Sequence, residues 1–180
     1  MRIYTKTGDS GESSLFDGRR LKKSDLRFEV YGEFDRLNVM IGEACLEVEG
    51  KPLEPYLRQL QASIFSLSSI LATENPENLT DKVKEIKWME LTEKLECNMD
   101  FYDKELPELT SFVLPGGTRS AIVLHHCRVQ ARKCERLLVA LIEVAEFDLD
   151  ILKFVNRLSD FFFMAARYAN FKNKMDELSW

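Results

Sequence analysis

The sequence predicts an all-α protein, a bundle of about five helices preceded by a loop-rich segment. Three observations support this prediction. Apolar residues recur every three or four positions in several long stretches from about Val30 onward. Each stretch ends at Gly, Pro, Asn or an acidic cluster. No segment of note has the alternating pattern of a β-strand, and the sequence has no internal repeat.

Apolar spacing defines the first three helices. The first is predicted over about 30–48 and is stopped by Gly-Lys-Pro at 50–52. The second spans 56–71, and Asn-Pro-Glu-Asn at 75–78 breaks it. The third, more amphipathic helix covers about 83–95.

The last two helices follow an extended loop with a turn at 112–117, Phe-Val-Leu-Pro-Gly-Gly. Thr118 or Ser120 is the expected start of a long helix to about Ala145. A short acidic connection leads to a final helix over 152–170. Short connections favour antiparallel neighbours in such a bundle.

The chain is predicted to form one domain, residues 1–180. A polar segment rich in Gly, Ser and Thr occupies 1–27, the helical bundle covers 28–171, and 172–180 is expected to be a frayed tail.

Charge and residue usage exclude several classes of protein. The 25 basic and 30 acidic residues give a net charge of −5, which disfavours general nucleic-acid binding. The four cysteines form no C-x-x-C pair and there are only two histidines, so a zinc finger or a resident metal site is not expected. No apolar run approaches the ~18 residues of a membrane span. We therefore expect a cytoplasmic protein without a membrane partner, with its cysteines reduced and buried.

The first segment with chemical potential is Tyr-Thr-Lys-Thr-Gly-Asp-Ser-Gly-Glu-Ser-Ser at 4–14. Glycines allow backbone N–H groups to turn toward an anion, hydroxyls donate hydrogen bonds, and lysine neutralises charge. This composition suits a polyphosphate cradle, although the spacing is not that of a Walker P-loop. A solvated terminal loop is the alternative interpretation.

The second segment lies on the predicted fourth helix, where Arg128, Arg132, Glu135 and Arg136 share one face. Arginine grips phosphate or carboxylate with two parallel hydrogen bonds, and Glu135 is positioned to hold a guanidinium in place. The alternative is a solvated face of weak ion pairs.

The third segment is on the last helix, where Asn156, Ser159, Asp160 and Phe163 share a face. Polar side chains in an apolar helix need partners when they are buried. They either line a site or simply link two helices by hydrogen bonds.

Five motifs occur in order along nearly the whole chain and resemble those of the PduO-type ATP:cob(I)alamin adenosyltransferases. They are Thr-Lys-Thr-Gly-Asp-Ser-Gly-Glu-Ser-Ser-Leu at 5–15, Tyr-Gly-Glu-Phe-Asp-Arg-Leu-Asn at 31–38, the 112–117 loop, the arginine helix at 128–136 and Asn-Arg-Leu-Ser-Asp-Phe-Phe-Phe at 156–163. The resemblance implies a ferritin-like up-and-down bundle that assembles as a homotrimer with active sites between subunits.

The resemblance also implies a reaction: the cobalt of cob(I)alamin attacks the 5′ carbon of ATP, and triphosphate leaves. Matching positions in the ATP site are Thr5, Lys6, Thr7, Gly8, Ser13, Ser14, Lys23, Arg132, Glu135, Arg136 and Asn156. Asp35 and Arg128 match a pair that joins subunits and shapes the site, and Phe112 matches the aromatic residue that presses on the corrin and displaces its lower ligand. We count Arg132, Phe112, Asp35 and Arg128 as the catalytic set.

ATP, Mg²⁺ carried by its phosphates, and cob(I)alamin are the expected ligands. A cobalamin reductase and a B12-dependent client enzyme are the partners such an activity would use. Arg36, Lys133, Cys134 and Ser13 depart from the family pattern. The first two weakly motivate an alternative, a non-catalytic carrier or sensor that binds nucleotide or adenosylcobalamin.

Overall fold

A computed structural model describes residues 4, 6–48 and 50–180 of the chain. The two strands of the described part are β1 (Glu12–Ser14) and β2 (Arg20–Lys22). Its α-helices are α1 (Leu26–Glu47), α2 (Leu53–Leu71), α3 (Asp81–Lys84), α4 (Trp88–Asp103), α5 (Arg119–Ile142) and α6 (Leu149–Lys172), and Pro76–Asn78 forms a 3-10 turn.

The predicted bundle of five long helices is confirmed. Helix α1 packs against α2 and α5, α5 packs against α6, and α6 packs against α4. The contact between α5 and α6 is the most extensive one between the helices. On its other side α6 packs its aromatic side chains against α2 and α4, with the Phe161 ring 5.2 Å from that of Tyr56 and the Phe154 ring 5.3 Å from that of Trp88.

Helix starts follow their capping residues. Asp25 accepts a hydrogen bond from the Arg27 backbone N–H at 2.9 Å, so α1 begins earlier than the predicted Val30. Thr118, the first of the two predicted candidates, caps α5 by accepting from the Ala121 N–H at 3.2 Å. Asp148 caps α6 in the same way, which moves its start from 152 to Leu149.

Two predictions about the elements were wrong. The predicted third helix is divided into the single turn α3 and the longer α4, which begins at Trp88 and continues to Asp103. The N-terminal loop contains an antiparallel hairpin in which Ser13 pairs with Leu21. Leu15 anchors this hairpin because its side chain is buried, and the adjacent Phe16 N–H donates to the Ala72 carbonyl at 2.8 Å.

The sequence predicts a frayed tail, but the segment 173–180, called the tail segment below, makes ordered backbone contacts. It lies along the 112–114 loop: the Leu114 N–H donates to the Leu178 carbonyl and the Trp180 N–H donates to the Phe112 carbonyl, each at 2.8 Å. Val113 and Ser179 form the bridge between these two contacts.

The predicted burial of the cysteines holds for three of the four. Cys45, Cys127 and Cys134 are buried thiols, whereas Cys97 is exposed. Within the described ranges, no helix combines the length and apolar character needed to cross a membrane.

Candidate active site

The predicted faces of α5 and α6 meet around one open cavity of about 270 Å³. It is lined by Arg128, Arg132, Ser159, Asp160, Phe163 and Met164. The cavity forms next to the α5–α6 contact. There Arg128 and Arg132 project from α5, and Ser159, Asp160 and Phe163 project from α6, toward the same open space. Two of the three segments singled out in the sequence therefore form one surface.

A direct hydrogen bond joins the two helices beside this cavity. The Asn156 amide Nδ2 donates to Glu135 Oε1 at 2.6 Å. Glu135 was expected to hold a guanidinium, but among the described residues it has this amide as its partner and no ion pair. The pair fixes the spacing of α5 and α6 at the edge of the cavity.

Arg132 and Arg136 are exposed, and neither has an ion-pair partner within the described part of the chain. Arg128 is half-buried, and its Nε is buried without a hydrogen-bond partner in that same part. Burial and the nearby Arg132 lower the pKa of the Arg128 guanidinium from its ordinary value. The carboxylate that lines the cavity, Asp160, pairs with Arg157, so among the described residues no ion pair offsets the charge of Arg128, Arg132 or Arg136.

His125 lies one turn before Arg128 and is only 3% exposed. Burial, and then repulsion by Arg128 and His126, lowers the pKa of the imidazole to about 4. It is therefore neutral near pH 7, and its ring lies 6.2 Å from that of Phe163. Both ring nitrogens lack a hydrogen-bond partner within the described residues.

The N-terminal hairpin gathers part of the predicted phosphate cradle. Lys23 Nζ lies over Gly8, where an added Cβ would be only 3.2 Å away. Lys6 and Thr7, which directly precede Gly8 in the chain, are exposed. Ser13 and Ser14 belong to β1. Thr5 lies outside the described residues. No hydrogen bond or ion pair among the described residues joins this hairpin to the arginine face of the same chain.

Asp35 and Arg128, which the resemblance pairs across a subunit contact, form no contact of this kind with each other within one described chain. Asp35 is exposed on α1, and no ion pair or hydrogen bond between the two is found in the described part. Phe112 is 82% exposed at the start of the loop before α5. The turn predicted in that loop is present at Gly117, whose φ is +100°.

Lys133 points away from the arginine face and toward α1. Its Nζ forms an ion pair with Glu33 Oε1 at 2.8 Å, and Gln130 Nε2 donates to Glu33 Oε2 at 2.7 Å. These contacts lower the pKa of the Glu33 carboxyl. Cys134 is buried beside them, with its Sγ 3.2 Å from the Glu33 carbonyl oxygen. The sequence indicated neither Glu33 nor Gln130, because their pairing joins helices almost 100 residues apart.

Together the fold and this cavity define a helical-bundle protein with an exposed arginine face on α5. The model of the family described as cobalamin adenosyltransferase matches residues 3–169. The chain belongs to that family.

Curated relatives and solved structures are similar to this chain over nearly its whole length. It is 40% identical to a corrinoid adenosyltransferase of Bacillus subtilis, covering 100% of this chain and 92% of that one. It is 39% identical to the human corrinoid adenosyltransferase MMAB, covering 98% of this chain and 72% of the human one. A solved variant of the PduO-type ATP:corrinoid adenosyltransferase of Lactobacillus reuteri, complexed with cobalamin and ATP, superposes with a TM-score of 0.93 at 35% identity and covers 99% of both chains.

Replacing Lys133 by Met tests whether this residue serves the α1–α5 contact rather than the nucleotide. We expect a loss of about 0.5–1 kcal/mol of unfolding free energy at pH 7, since the pair is only partly buried. The loss should shrink as pH falls below the ordinary carboxyl pKa, because the lowered pKa of Glu33 stabilises the fold only while the carboxyl is ionised. Urea unfolding at pH 7 and pH 4 measures this.

The KM for ATP of Lys133→Met should stay within about twofold of the unaltered protein. Lys153→Met is the matched control, because Lys153 pairs with Asp150 on its own helix and is more exposed. A large rise in the KM for ATP with unchanged stability would contradict the assignment.

Proposed function

We propose that this chain transfers the 5′-deoxyadenosyl group of ATP to the cobalt of cob(I)alamin, forming adenosylcobalamin and releasing triphosphate. The observation that supports this most directly is the exposed arginine face beside the α5–α6 cavity, in a chain with full-length similarity to corrinoid adenosyltransferases. Corrinoid and ATP are both substrates.

In the proposed reaction, cobalt supplies the electron pair of the new cobalt–carbon bond to C5′ of ATP. The C5′–oxygen bond breaks, and its electron pair leaves with triphosphate. Because cob(I)alamin is itself a strong nucleophile, the protein needs no serine, cysteine or general base for this step. Its tasks are to hold the two substrates in line and to stabilise the leaving group.

Positively charged side chains stabilise the leaving triphosphate in this proposal. Arg132 and Arg136 on α5, with Lys6 and Lys23 on the N-terminal segment, meet the negative charge that grows on triphosphate. The hydroxyls and backbone of Thr5, Thr7, Gly8, Ser13 and Ser14 complete the cradle in this proposal. Glu135 and Asn156 set the position of the arginine face through their hydrogen bond.

Mg²⁺ fits this site as an ion carried by the nucleotide. Among the described residues no group of three or more His, Cys, Asp or Glu side chains is arranged to hold a metal. The triphosphate oxygens are therefore the ligands we propose, and the ion would add to the charge neutralisation that the arginines supply.

We further propose that the working unit is a homotrimer. Within one chain the N-terminal hairpin has no polar contact with the arginine face among the described residues, Asp35 is exposed, and Arg128 Nε is buried without a partner there. A neighbouring copy would bring its hairpin to the arginine face and its Asp35 to Arg128. The division into a nucleotide-binding segment (1–27) and a bundle (28–171) belongs to the same proposal.

The cellular setting is also proposed. Packing of three cysteines in the core is the usage expected in a reducing compartment, which favours the cytoplasm. A reductase would supply cob(I)alamin there, and a B12-dependent enzyme would take the product. The carrier or sensor alternative loses part of its motivation, because the departure at Lys133 serves the contact with Glu33.

Replacing Arg132 by Ala tests the role of the arginine face. We expect a loss of about a hundredfold or more in kcat/KM, since a charge-assisted contact to the leaving phosphates is worth about 3 kcal/mol. The measurement is anaerobic turnover with preformed cob(I)alamin, and gel filtration should give the same assembly as the unaltered protein. Arg119→Ala is the control, because Arg119 lies on the same helix but pairs with Glu47 away from the cavity. Near-normal turnover by Arg132→Ala would contradict the proposed role.

Replacing Phe112 by Ala tests the proposed displacement of the lower ligand. The exposed ring offers an apolar face that excludes water and an axial ligand from cobalt, which makes reduction of cob(II)alamin easier. We expect a larger loss when cob(II)alamin must be reduced in the assay than when cob(I)alamin is supplied. Equal losses in the two assays would rule out this role for Phe112.

A further inference from the structure

The C-terminal half of α6 carries a buried cation that no part of the proposed chemistry uses. Arg167 is 3% exposed. Its Nε donates to Glu177 Oε2 at 2.9 Å, and its Nη2 donates to the Pro107 carbonyl at 3.0 Å. One guanidinium therefore holds two separate pieces of chain, the tail segment through Glu177 and the start of the loop before α5 through Pro107.

The tail segment in turn holds the Phe112 backbone. The Trp180 N–H donates to the Phe112 carbonyl, and the Leu114 N–H donates to the Leu178 carbonyl, each at 2.8 Å. The Phe112 carbonyl therefore makes the first of two backbone contacts with the tail segment, which Arg167 fixes at Glu177, three residues before Trp180.

The far end of the same loop is fixed by Asn170, one turn beyond Arg167 on α6. Asn170 Nδ2 donates to the Gly116 carbonyl at 3.0 Å, and its Oδ1 accepts from the Thr118 N–H at 2.9 Å. A Cβ on Gly117 would lie only 2.3 Å from Asn170 Oδ1, so this approach requires glycine. Both ends of the loop are therefore attached to one rigid helix.

Apolar packing contributes little to holding the loop against the tail segment. A cavity of about 380 Å³ lies between them, with Arg167 and Glu177 among its lining residues. The Phe112 ring is itself mostly exposed and has few contacts of its own. The position of the ring is consequently set by polar contacts to the backbone on either side of it.

We propose that Arg167 and Glu177 are positioning residues for the reaction, which set the place of the Phe112 ring over the corrin through the loop and the tail segment. This inference rests on the proposed function of Phe112. A buried ion pair adds little net stability, since the cost of removing both charges from water offsets their attraction. The effect of the ion pair on the reaction rate is larger than its effect on stability. A displacement of about 1 Å in a group that acts on a reacting centre can lower the rate about a hundredfold.

Glu177 is the residue to alter, because it lies in the tail segment and its loss leaves the helical core intact. We expect Glu177→Ala to lose about tenfold or more in turnover when cob(II)alamin must be reduced in the assay, and about threefold or less with preformed cob(I)alamin. Glu177→Gln keeps an acceptor oxygen for Arg167 and should lose less than Glu177→Ala in the first assay.

A spectroscopic measurement separates positioning from a general loss of activity. With ATP and cob(II)alamin bound, electron paramagnetic resonance gives the fraction of cobalt that has lost its lower ligand. That fraction should fall in Glu177→Ala, in the same direction as in Phe112→Ala. If Glu177→Ala fails to fold, as judged by circular dichroism, Glu177→Gln is measured in its place.

The matched control is Lys153→Ala, which removes an ion pair with Asp150 at the opposite end of α6, far along the helix from Arg167 and from the loop that carries Phe112. It should leave both assays and the spectrum unchanged. If the fraction of cobalt that has lost its lower ligand is unchanged in Glu177→Ala, the positioning role is overturned, and this holds for any result with Phe112→Ala. If Phe112→Ala leaves the fraction unaltered while Glu177→Ala lowers it, the proposed role of Phe112 fails and the tail segment acts on the corrin by another contact.

Discussion

The close packing of α5 against α6 is the constraint on which the rest of the structure depends. Both helices bury a continuous set of side chains, and the aromatic residues of α6 fill the core on its side toward α2 and α4. This contact brings Arg132 and Phe163 to one cavity and places Glu135 within hydrogen-bond distance of Asn156. The same rigid α6 then anchors the loop that carries Phe112, through Arg167 and Asn170.

The chemistry follows from charge and placement rather than from a reactive side chain. His125, a usual candidate for acid–base work, is buried beside arginine and neutral at pH 7, with its pKa lowered to about 4. The nearby arginines are left without carboxylate partners among the described residues, although the chain as a whole is acidic. Such a local surplus of positive charge suits a reaction in which one substrate is already the nucleophile and the other releases a polyanion.

The sequence predicted what depends on local spacing. The long helices and the shared faces of α5 and α6 follow from intervals of three, four and seven residues, and the structure confirms them. The start of α5 follows from residue type, since Thr118 and Ser120 are the two candidate caps and Thr118 is the one that caps the helix. The hairpin was missed because strands of three residues are too short to display alternation. The break between α3 and α4 falls at Glu85–Lys87, where no glycine or proline signals it. The pairing of Glu33 with Lys133 joins residues 100 positions apart, and that of Arg167 with Glu177 joins a helix to a segment outside any helix. Neither leaves a periodic trace, which is why the sequence alone predicts a frayed tail.

Anaerobic turnover distinguishes an adenosyltransferase from a protein that only binds the same ligands. Purified protein is mixed with chemically reduced cob(I)alamin, ATP and Mg²⁺, and the loss of the cob(I) absorption band is followed with the appearance of adenosylcobalamin. We expect several turnovers per subunit. No turnover, with ATP still raising the melting temperature by mass action, would contradict the enzymatic assignment and favour a protein that binds these ligands without transforming them.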